Sequence, residues 1–363
     1  MKFNPVSKER PRSEIVARNI ESYKSILNAK YESNDFLTMS ELLSPEYRWY
    51  GAIGTGYSYE DEKERADLLE HATAFRQAVP DITMRHHMFG EGNMVANYCV
   101  VEGTHTGSYL GVKASGNRVN CVSVSIARFD TDGLLIEERE LWDEMTFLRQ
   151  FGYISDMESK LIIGLLVNRP DLPESCTYPE ISLPEFSDIL FNAEGAIQLD
   201  RDPVVVRNIK NWLGFTDKKY MHQDFEGIHE VMSENYQHFA GGGYHSDVSD
   251  SASFQSMCEL FKREMDEHPD INFESELFGE GDMVAYNVAP HFTHTDHMLG
   301  VAPSDRKVRF FNISIGRFGE DGRIAEETEL HDFLALYKQI GVISNSPKNV
   351  TLLNVLKELN CGQ

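Results

Sequence analysis

The sequence predicts an α+β protein built twice over, each half a curved antiparallel sheet with its helices gathered on one side. Three observations carry that reading. Laid on itself at a lag of 189 residues, the chain matches without a gap, with 32 of 75 positions identical from residue 80 to 154. At Pro80 the apolar residues change from helical spacing to strict alternation. Turn signals at Gly90-Glu91-Gly92-Asn93, Ser115-Gly116-Asn117 and Asp132-Gly133 then cut the alternating stretch into strands.

In the self-match Gly103-Thr104-His105-Thr106-Gly107 meets Phe292-Thr293-His294-Thr295-Asp296, and Phe89-Gly90-Glu91-Gly92 meets Phe278-Gly279-Glu280-Gly281. Pro80-Asp81-Ile82 meets Pro269-Asp270-Ile271, and Asp143, Gln150 and Gly152 meet Asp332, Gln339 and Gly341. A match of that length in one register is a duplication. Each copy is about 150 residues, enough to bury its own core, so two domains are expected.

In chain order, Ser13 caps a helix whose inner stripe is Ile15, Ile20, Tyr23, Ile26 and Leu27. A shorter helix over 35–43 stops at Ser44-Pro45. A strand follows at 47–50, then a glycine loop at 51–56 with a counterpart at 240–243. Residues 62–79 form a third helix, with Leu68, Leu69, Ala72 and Phe75 inward. Strands are expected at 82–88, 94–101, 105–112, 119–129 and 134–141, and a closing helix at 143–151. Amphipathic segments at 157–167 and 350–359 close the copies. Residues 169–203 carry Pro170, Pro173, Pro179, Pro184 and Pro203 and read as a linker with one short helix at 186–191. The expected division is a first domain over 1–168, the linker over 169–203 and a second domain over 204–363.

The formal net charge of −24 disfavours nucleic acid and anionic membrane surfaces as partners. Five widely spaced cysteines without a CxxC pair argue against a disulfide framework and fit a reducing cytoplasm. The N-terminus lacks an apolar signal core, and no apolar run is long enough to span a bilayer. No cofactor is expected. The second copy holds nine of the thirteen histidines, but alternation sends His291 and His294 to opposite faces, so no metal site is expected.

The motif order resembles the SnoaL-like polyketide cyclases. It runs Pro-Asp before a strand, a Gly-Glu-Gly turn, Gly103-Thr104-His105-Thr106-Gly107, Arg128-Phe129, Asp132-Gly133, and an acidic strand ending in Asp143. The resemblance covers 15–155 and, more weakly, 204–344. It implies the cone-shaped fold shared with ketosteroid isomerase and nuclear transport factor two, in two tandem copies, each with three helices on the concave side of its sheet around an apolar pocket. It also implies acid/base chemistry, of intramolecular aldol or isomerase type, on a carbonyl or polyketide-like compound.

Carried onto this chain, the resemblance makes His105 a pocket acid/base and Asp143 its partner or floor carboxylate. Trp49, Tyr50, Phe89 and Trp142 are candidate aromatic lining, and His294 and Asp332 the second copy's equivalents. The chain departs from the family pattern in two places. Residues 117–129 contain no carboxylate, and Arg139 and Thr328 replace the Trp of a Glu-x-Trp pattern. For His105 a backbone-bonded structural role stays open, as does helix capping for Asp143. Glu137, Glu138 and Glu140 read as a solvated acidic strand. Gly103 and Gly107 read as room for a ligand beside the imidazole. The expected partners are a carbonyl-containing small molecule and the chain's own second repeat, packed sheet to sheet as a pseudo-dimer, with a homo-oligomer left open. A non-catalytic ligand-binding protein is the alternative, and a structural interaction module the third reading.

Overall fold

The computed structural model describes residues 12–51, 55–109, 113–151, 201–240, 244–247, 268–296 and 303–340, with scattered positions between 255 and 266. The amphipathic segments at 157–167 and 350–359, and the linker up to residue 200 with its helix at 186–191, lie outside the described residues.

The first repeat opens with α1 (Glu14–Leu27), capped by Ser13, whose hydroxyl accepts from Val16 N at 3.2 Å. Its inner stripe of Val16, Ile20, Tyr23, Ile26 and Leu27 is buried, whereas the expected Ile15 is exposed, because one step of about 100° around the helix puts Val16 on the inward side instead. The helix widens into a π-helical segment, Asn28–Ser33, ended by Asn34 in the left-handed region at φ 54°. α2 (Phe36–Leu42) leads into β1 (Leu43–Gly51) and β2 (Thr55–Ser58). α3 (Glu62–Ala78), capped by Asp61, precedes the meander of β3 (Thr83–Glu91), β4 (Met94–Thr104), β5 (Arg118–Phe129) and β6 (Leu135–Trp142). α4 (Glu144–Phe151) closes the repeat. Gly92 takes φ 63° in the β3–β4 turn, as Gly281 takes φ 61° in its duplicate, a region that glycine enters without steric cost.

The sheet order is β2-β1-β6-β5-β4-β3, with β3 to β6 antiparallel and β1 returning parallel to β6. That parallel return, absent from a pure meander, bends the sheet around the helices. Two further departures concern the loops. The expected strand over 105–112 is irregular where described, because β4 runs on to Thr104 and the chain then turns against the end of α3. Within the expected glycine loop, β2 already pairs back on β1.

The second repeat repeats the order. It comprises α5 (Pro203–Thr216), a π-helical segment Asp217–His222, a 3₁₀ turn Gly227–Glu230, β7 (Met232–Ala240), β8 (Tyr244–Asp247), β9 (Asn272–Glu280), β10 (Met283–Thr293), β11 (Lys307–Arg309), β12 (Asn312–Phe318), β13 (Ile324–His331) and α6 (Phe333–Ile340). Asp202 caps α5 with Pro203 in its first turn, where the missing N–H costs nothing, so this helix takes the last residue of the expected linker.

Alternation sorts each strand into two faces. In the first repeat Val95, Cys99, Val101, Cys121, Ala127 and Phe129 face the helices. Ala96, Tyr98, Val100, Val124, Ile126 and Leu141 face the other way and pack against Phe278, Ala285, Phe311, Ile313, Ile315 and Leu330 of the second repeat. The two sheets therefore meet back to back, each interior pointing away from the other. Phe89 lies 6.2 Å from Phe278, its own duplicate, as it must on a twofold axis.

Candidate functional site

The interior of the first repeat is polar at its centre. Glu138 and Glu140, two apart on β6, point to the same face of the sheet. Glu138 accepts from the Tyr23 hydroxyl at 2.7 Å and the Tyr47 hydroxyl at 2.5 Å. Glu140 Oε2 accepts from the Tyr31 hydroxyl at 2.7 Å, Trp49 Nε1 at 3.1 Å and Lys30 Nζ at 3.2 Å. Lys30 Nζ also lies 3.5 Å from Glu138 Oε2, and its ammonium rests over the Tyr31 and Trp49 rings. Outward from Tyr23, Ser125 Oγ lies 2.7 Å from its hydroxyl, Asn97 Nδ2 reaches Ser125, and His86 Nδ1 reaches Asn97 Oδ1. The π-helical segment makes this possible, since its extra residue turns both Lys30 and Tyr31 inward.

One ammonium serves two buried carboxyls, and the pair divides unequally. Burial pushes the Glu138 carboxyl above its ordinary value, and the Glu140 charge adds to the push. Burial would raise Glu140 too, but Lys30 and the donors Tyr31 and Trp49 outweigh it and hold Glu140 below the ordinary value. Tyr23, Tyr31 and Tyr47 are raised well above theirs, chiefly by burial, and stay phenols that donate. The arrangement is one carboxylate anion, one carboxyl poised to hold or release a proton, and a ring of donors. In a dry interior that can perform proton transfer.

His71 on α3 stands at the edge of this interior, its ring 6.3 Å from that of Tyr109. Its side chain keeps exposed surface, yet protein crowds it enough that burial lowers its pKa, with Lys30 pushing the same way and Glu140 opposing. Tyr109, Phe75 and Trp142 follow inward as edge-on rings, Trp142 lying 5.5 Å from Tyr31.

The sequence-predicted residues divide around this centre. Trp49 and Trp142 are inside it. Tyr50 and Phe89 are not, because alternation turns them to the opposite face: Tyr50 lies under the Arg139 guanidinium, and Phe89 is buried between the sheets. The acidic strand is not solvated. Glu138 and Glu140 are the interior pair, and Glu137 is buried on the back face between Arg128 at 2.7 Å and Arg139 at 2.5 Å.

His105 is fully buried, stacked on Phe151 at 3.9 Å and 3°, with Nδ1 accepting from Ser115 N at 3.2 Å and 3.0 Å from Ser115 Oγ. Burial lowers its pKa, against opposing hydrogen bonds with the backbone of Phe151 and Gly107. It fastens the loop between β4 and β5, and His294 repeats the arrangement with Ser304 Oγ at 2.9 Å. Gly103 and Gly107 do not make room for a ligand. A Cβ at Gly103 would meet Val79 at 2.3 Å, and one at Gly107 the Gln77 carbonyl at 2.1 Å, so both let the chain close on α3. Asp143 caps α4 through Thr146 N at 3.1 Å, and Asp332 caps α6 through Ala335 N at 3.0 Å.

Lys30, Tyr23, Tyr31, Tyr47, Glu138, Glu140 and His71 were missed by the sequence reading. A signal for most of them was present. Lys30, Tyr31, Tyr47, Glu138 and Glu140 recur at the lag of 189 as Lys219, Tyr220, Tyr236, Glu327 and Glu329. A lysine kept twice on a buried helical stripe, and a glutamate pair kept twice on one strand face, mark an interior ion pair.

In the second repeat the glutamates have different neighbours. Tyr236 donates to Glu327, His238 Nε2 lies 3.4 Å from Glu329 Oε2, and His331 Nε2 lies 3.3 Å from the same oxygen. Lys219 is buried, with its ammonium 4.2 Å over the Tyr220 ring.

The family model of the SnoaL-like polyketide cyclases matches residues 26–151 and again 210–340. The chain belongs to that family. Both matched segments contain the glutamate pair, and the tandem α+β architecture is the family's fold in two copies. A solved SnoaL-like chain from Jannaschia sp. CCS1 is 18% identical at a TM-score of 0.35, covering 40% of this chain and 100% of its own. A SnoaL-like polyketide cyclase from Agrobacterium tumefaciens str. C58 is 19% identical at a TM-score of 0.31, covering 37% and 98%. TsrD from Streptomyces laurentii is 24% identical at a TM-score of 0.32, covering 40% and 100%. No curated protein matches the chain. Among the described residues, no helix is long and apolar enough to cross a membrane.

Proposed function

We propose that the first repeat takes a carbonyl-containing, polyketide-like small molecule into its interior and performs acid/base chemistry on it with the Glu138–Glu140 pair. The observation that carries the reading is the unequal pair itself, a carboxyl with raised proton affinity beside a carboxylate pinned by Lys30. Glu138 in its basic form would take the proton next to the carbonyl. The C–H electron pair would become the C=C bond as the carbonyl π pair moves to oxygen, and a tyrosine hydroxyl swinging from its glutamate to that oxygen would donate to the enolate. Reprotonation at carbon gives an isomerase, and attack on a second carbonyl in the same molecule gives an aldol cyclase. His71, Trp142 and Trp49 would shape the entrance, while His105 and Asp143 hold the walls.

The test is proton exchange. Full-length protein is incubated with a panel of polycyclic β-keto esters in D₂O, and loss of the α-proton signal is followed by NMR. Exchange that falls at least about a hundredfold in Glu138→Gln, with the melting temperature retained, is the expected result. Exchange that survives the substitution overturns the assignment. A second reading, ligand binding without turnover, has its own support: Glu140 Oε2 already accepts three donors, which suits a fixed binding wall. Retention of a small molecule in native mass spectra, with no exchange on any panel member, would favour it.

A further inference from the structure

The glutamate pair of the second repeat has different neighbours: Trp212 stands where Tyr23 donates to Glu138, and two indoles give way to imidazoles. At the two positions where the first repeat places Trp49 and Trp142, the second places His238 and His331. Both changes put a metal-ligating imidazole where an indole stood, and both imidazoles reach the same carboxylate. We infer that the interior of the second repeat is a binding site for a first-row divalent cation, best matched by zinc, held by His238, Glu327 and Glu329.

Three features of the geometry support it. One ligand atom from each of the three residues lies within 4.8 Å of the others. Ligands about 2.0–2.1 Å from a tetrahedral ion stand roughly 3.3–3.4 Å apart, longer than an ordinary N–H···O hydrogen bond at about 2.9–3.0 Å. His238 Nε2 and Glu329 Oε2 stand at 3.4 Å. The ligands also come from two paired strands, since β7 runs parallel to β13 with His238 opposite Glu327, a rigid support.

Around this set stand partners of the kind that orient metal ligands: the Tyr236 hydroxyl on Glu327, and His331 on Glu329. Charge points the same way. Two carboxylates in an interior need a positive counterpart. In the first repeat the Lys30 ammonium lies within 3.5 Å of both. In the second, the Lys219 ammonium acts on Glu327, while the groups closest to Glu329 are imidazoles, whose neutral form turns a lone pair to whatever it faces. A cation between imidazole and carboxylate satisfies both. The side chains of His238 and Glu329 keep 14% and 17% of their surface exposed, so the set is not sealed from solvent. Mixed imidazole and carboxylate ligands suit zinc, iron or manganese. Alternation along the one strand that carries His291 and His294 leaves no metal set, whereas His238, Glu327 and Glu329 converge from two strands.

The experiment uses the full-length, untagged protein, stripped with chelator and titrated with zinc by calorimetry and with cobalt by visible absorption. Expected are one equivalent bound at micromolar Kd or tighter, cobalt bands of a four- or five-coordinate site, and a rise in melting temperature on adding zinc. His238→Trp and Glu329→Gln should each weaken zinc binding at least a hundredfold, while Glu102→Gln in the first repeat leaves it unchanged. Should either variant fail to fold, His331→Gln serves instead and should weaken binding about tenfold as an outer partner. Absence of saturable binding below about 100 μM zinc overturns the inference, and leaves protonated imidazoles as the counter-charge. Binding that survives these substitutions also overturns it, because the ion then sits elsewhere.

Discussion

Glu91 and Glu280 occupy equivalent places in the two repeats, and each carboxylate caps the backbone of the other. Glu91 Oε2 accepts from Gly279 N at 3.1 Å, and Glu280 Oε2 accepts from Gly90 N at 3.0 Å. Each is held by an arginine from its partner repeat's lead-in: Arg201 lies 2.7 Å from Glu91 and Arg12 2.7 Å from Glu280. Arg12 also donates to the Met88 carbonyl and Arg201 to that of Leu277, so the clamp is isologous in every part. Glu91→Ala and Glu280→Ala should each lower stability by about 1–3 kcal/mol, because each strands a backbone donor and a guanidinium. Urea melts of both variants check this, and the two costs should be alike.

Lys30 is the sole ammonium placed against the first repeat's buried pair among the described residues. Lys30→Met removes that charge and leaves Glu140 surrounded by neutral donors, which should cost about 3–5 kcal/mol. Adding Glu140→Gln should recover part of the loss. A double-mutant cycle by chemical denaturation measures the coupling, and strict additivity would contradict the ion-pair description.

The pair also sets a pH dependence. Glu138 is raised above its ordinary 4.5 in the fold, so its stabilising contribution is complete below that value and is lost as pH rises through the raised one. Glu140 is lowered from the same 4.5, so its contribution is present above that value and is lost as pH falls through the lowered one. Stability from the pair therefore favours mildly acidic conditions. As pH rises above 4.5 the wild-type melting temperature should fall relative to that of Glu138→Gln, a variant with no proton to lose. A pH-independent difference between the two curves would remove the assignment.

His105→Ala should behave as a core truncation. Its ring stacks on Phe151 and its Nδ1 ties down Ser115, so the expected cost is about 2–4 kcal/mol, larger than a pocket-facing imidazole would show. Ligand binding, measured where the variant remains folded, should change little. His294→Ala should cost a comparable amount, since His294 repeats the bond to its serine. A normal melt with loss of ligand handling would return His105 to the role that the family resemblance implied.

Much of the fold was legible because duplication and alternation are sequence-level facts. The Ser13 cap, the β3–β4 turn and the ends of β5 and β6 lie where residue spacing puts them, as does the α1 stripe apart from Ile15. The site was less legible for a physical reason. Glu138 and Glu140 sit in a run of charged residues that resembles a solvated edge, and what buries them is far away in sequence: Tyr23 and Lys30 on one helix and its π-helical extension, Tyr47 and Trp49 on the strand that returns parallel to β6. Parity explains the rest. Tyr50 and Phe89 differ from Trp49 and Met88 by one residue, and one residue in a strand exchanges the interior for the seam between sheets.

The meeting of Phe89 with Phe278 has a consequence for how such a protein changes over generations. In a homodimer of single repeats, a residue on the axis meets itself, and every substitution arrives twice, at the seam and in both interiors together. Joining the repeats in one chain ends that obligation. A mutation now falls on one half alone, and the seam need tolerate a single altered partner. Trp49 and His238 already record the freedom: one interior could exchange an indole for an imidazole while the other kept its own.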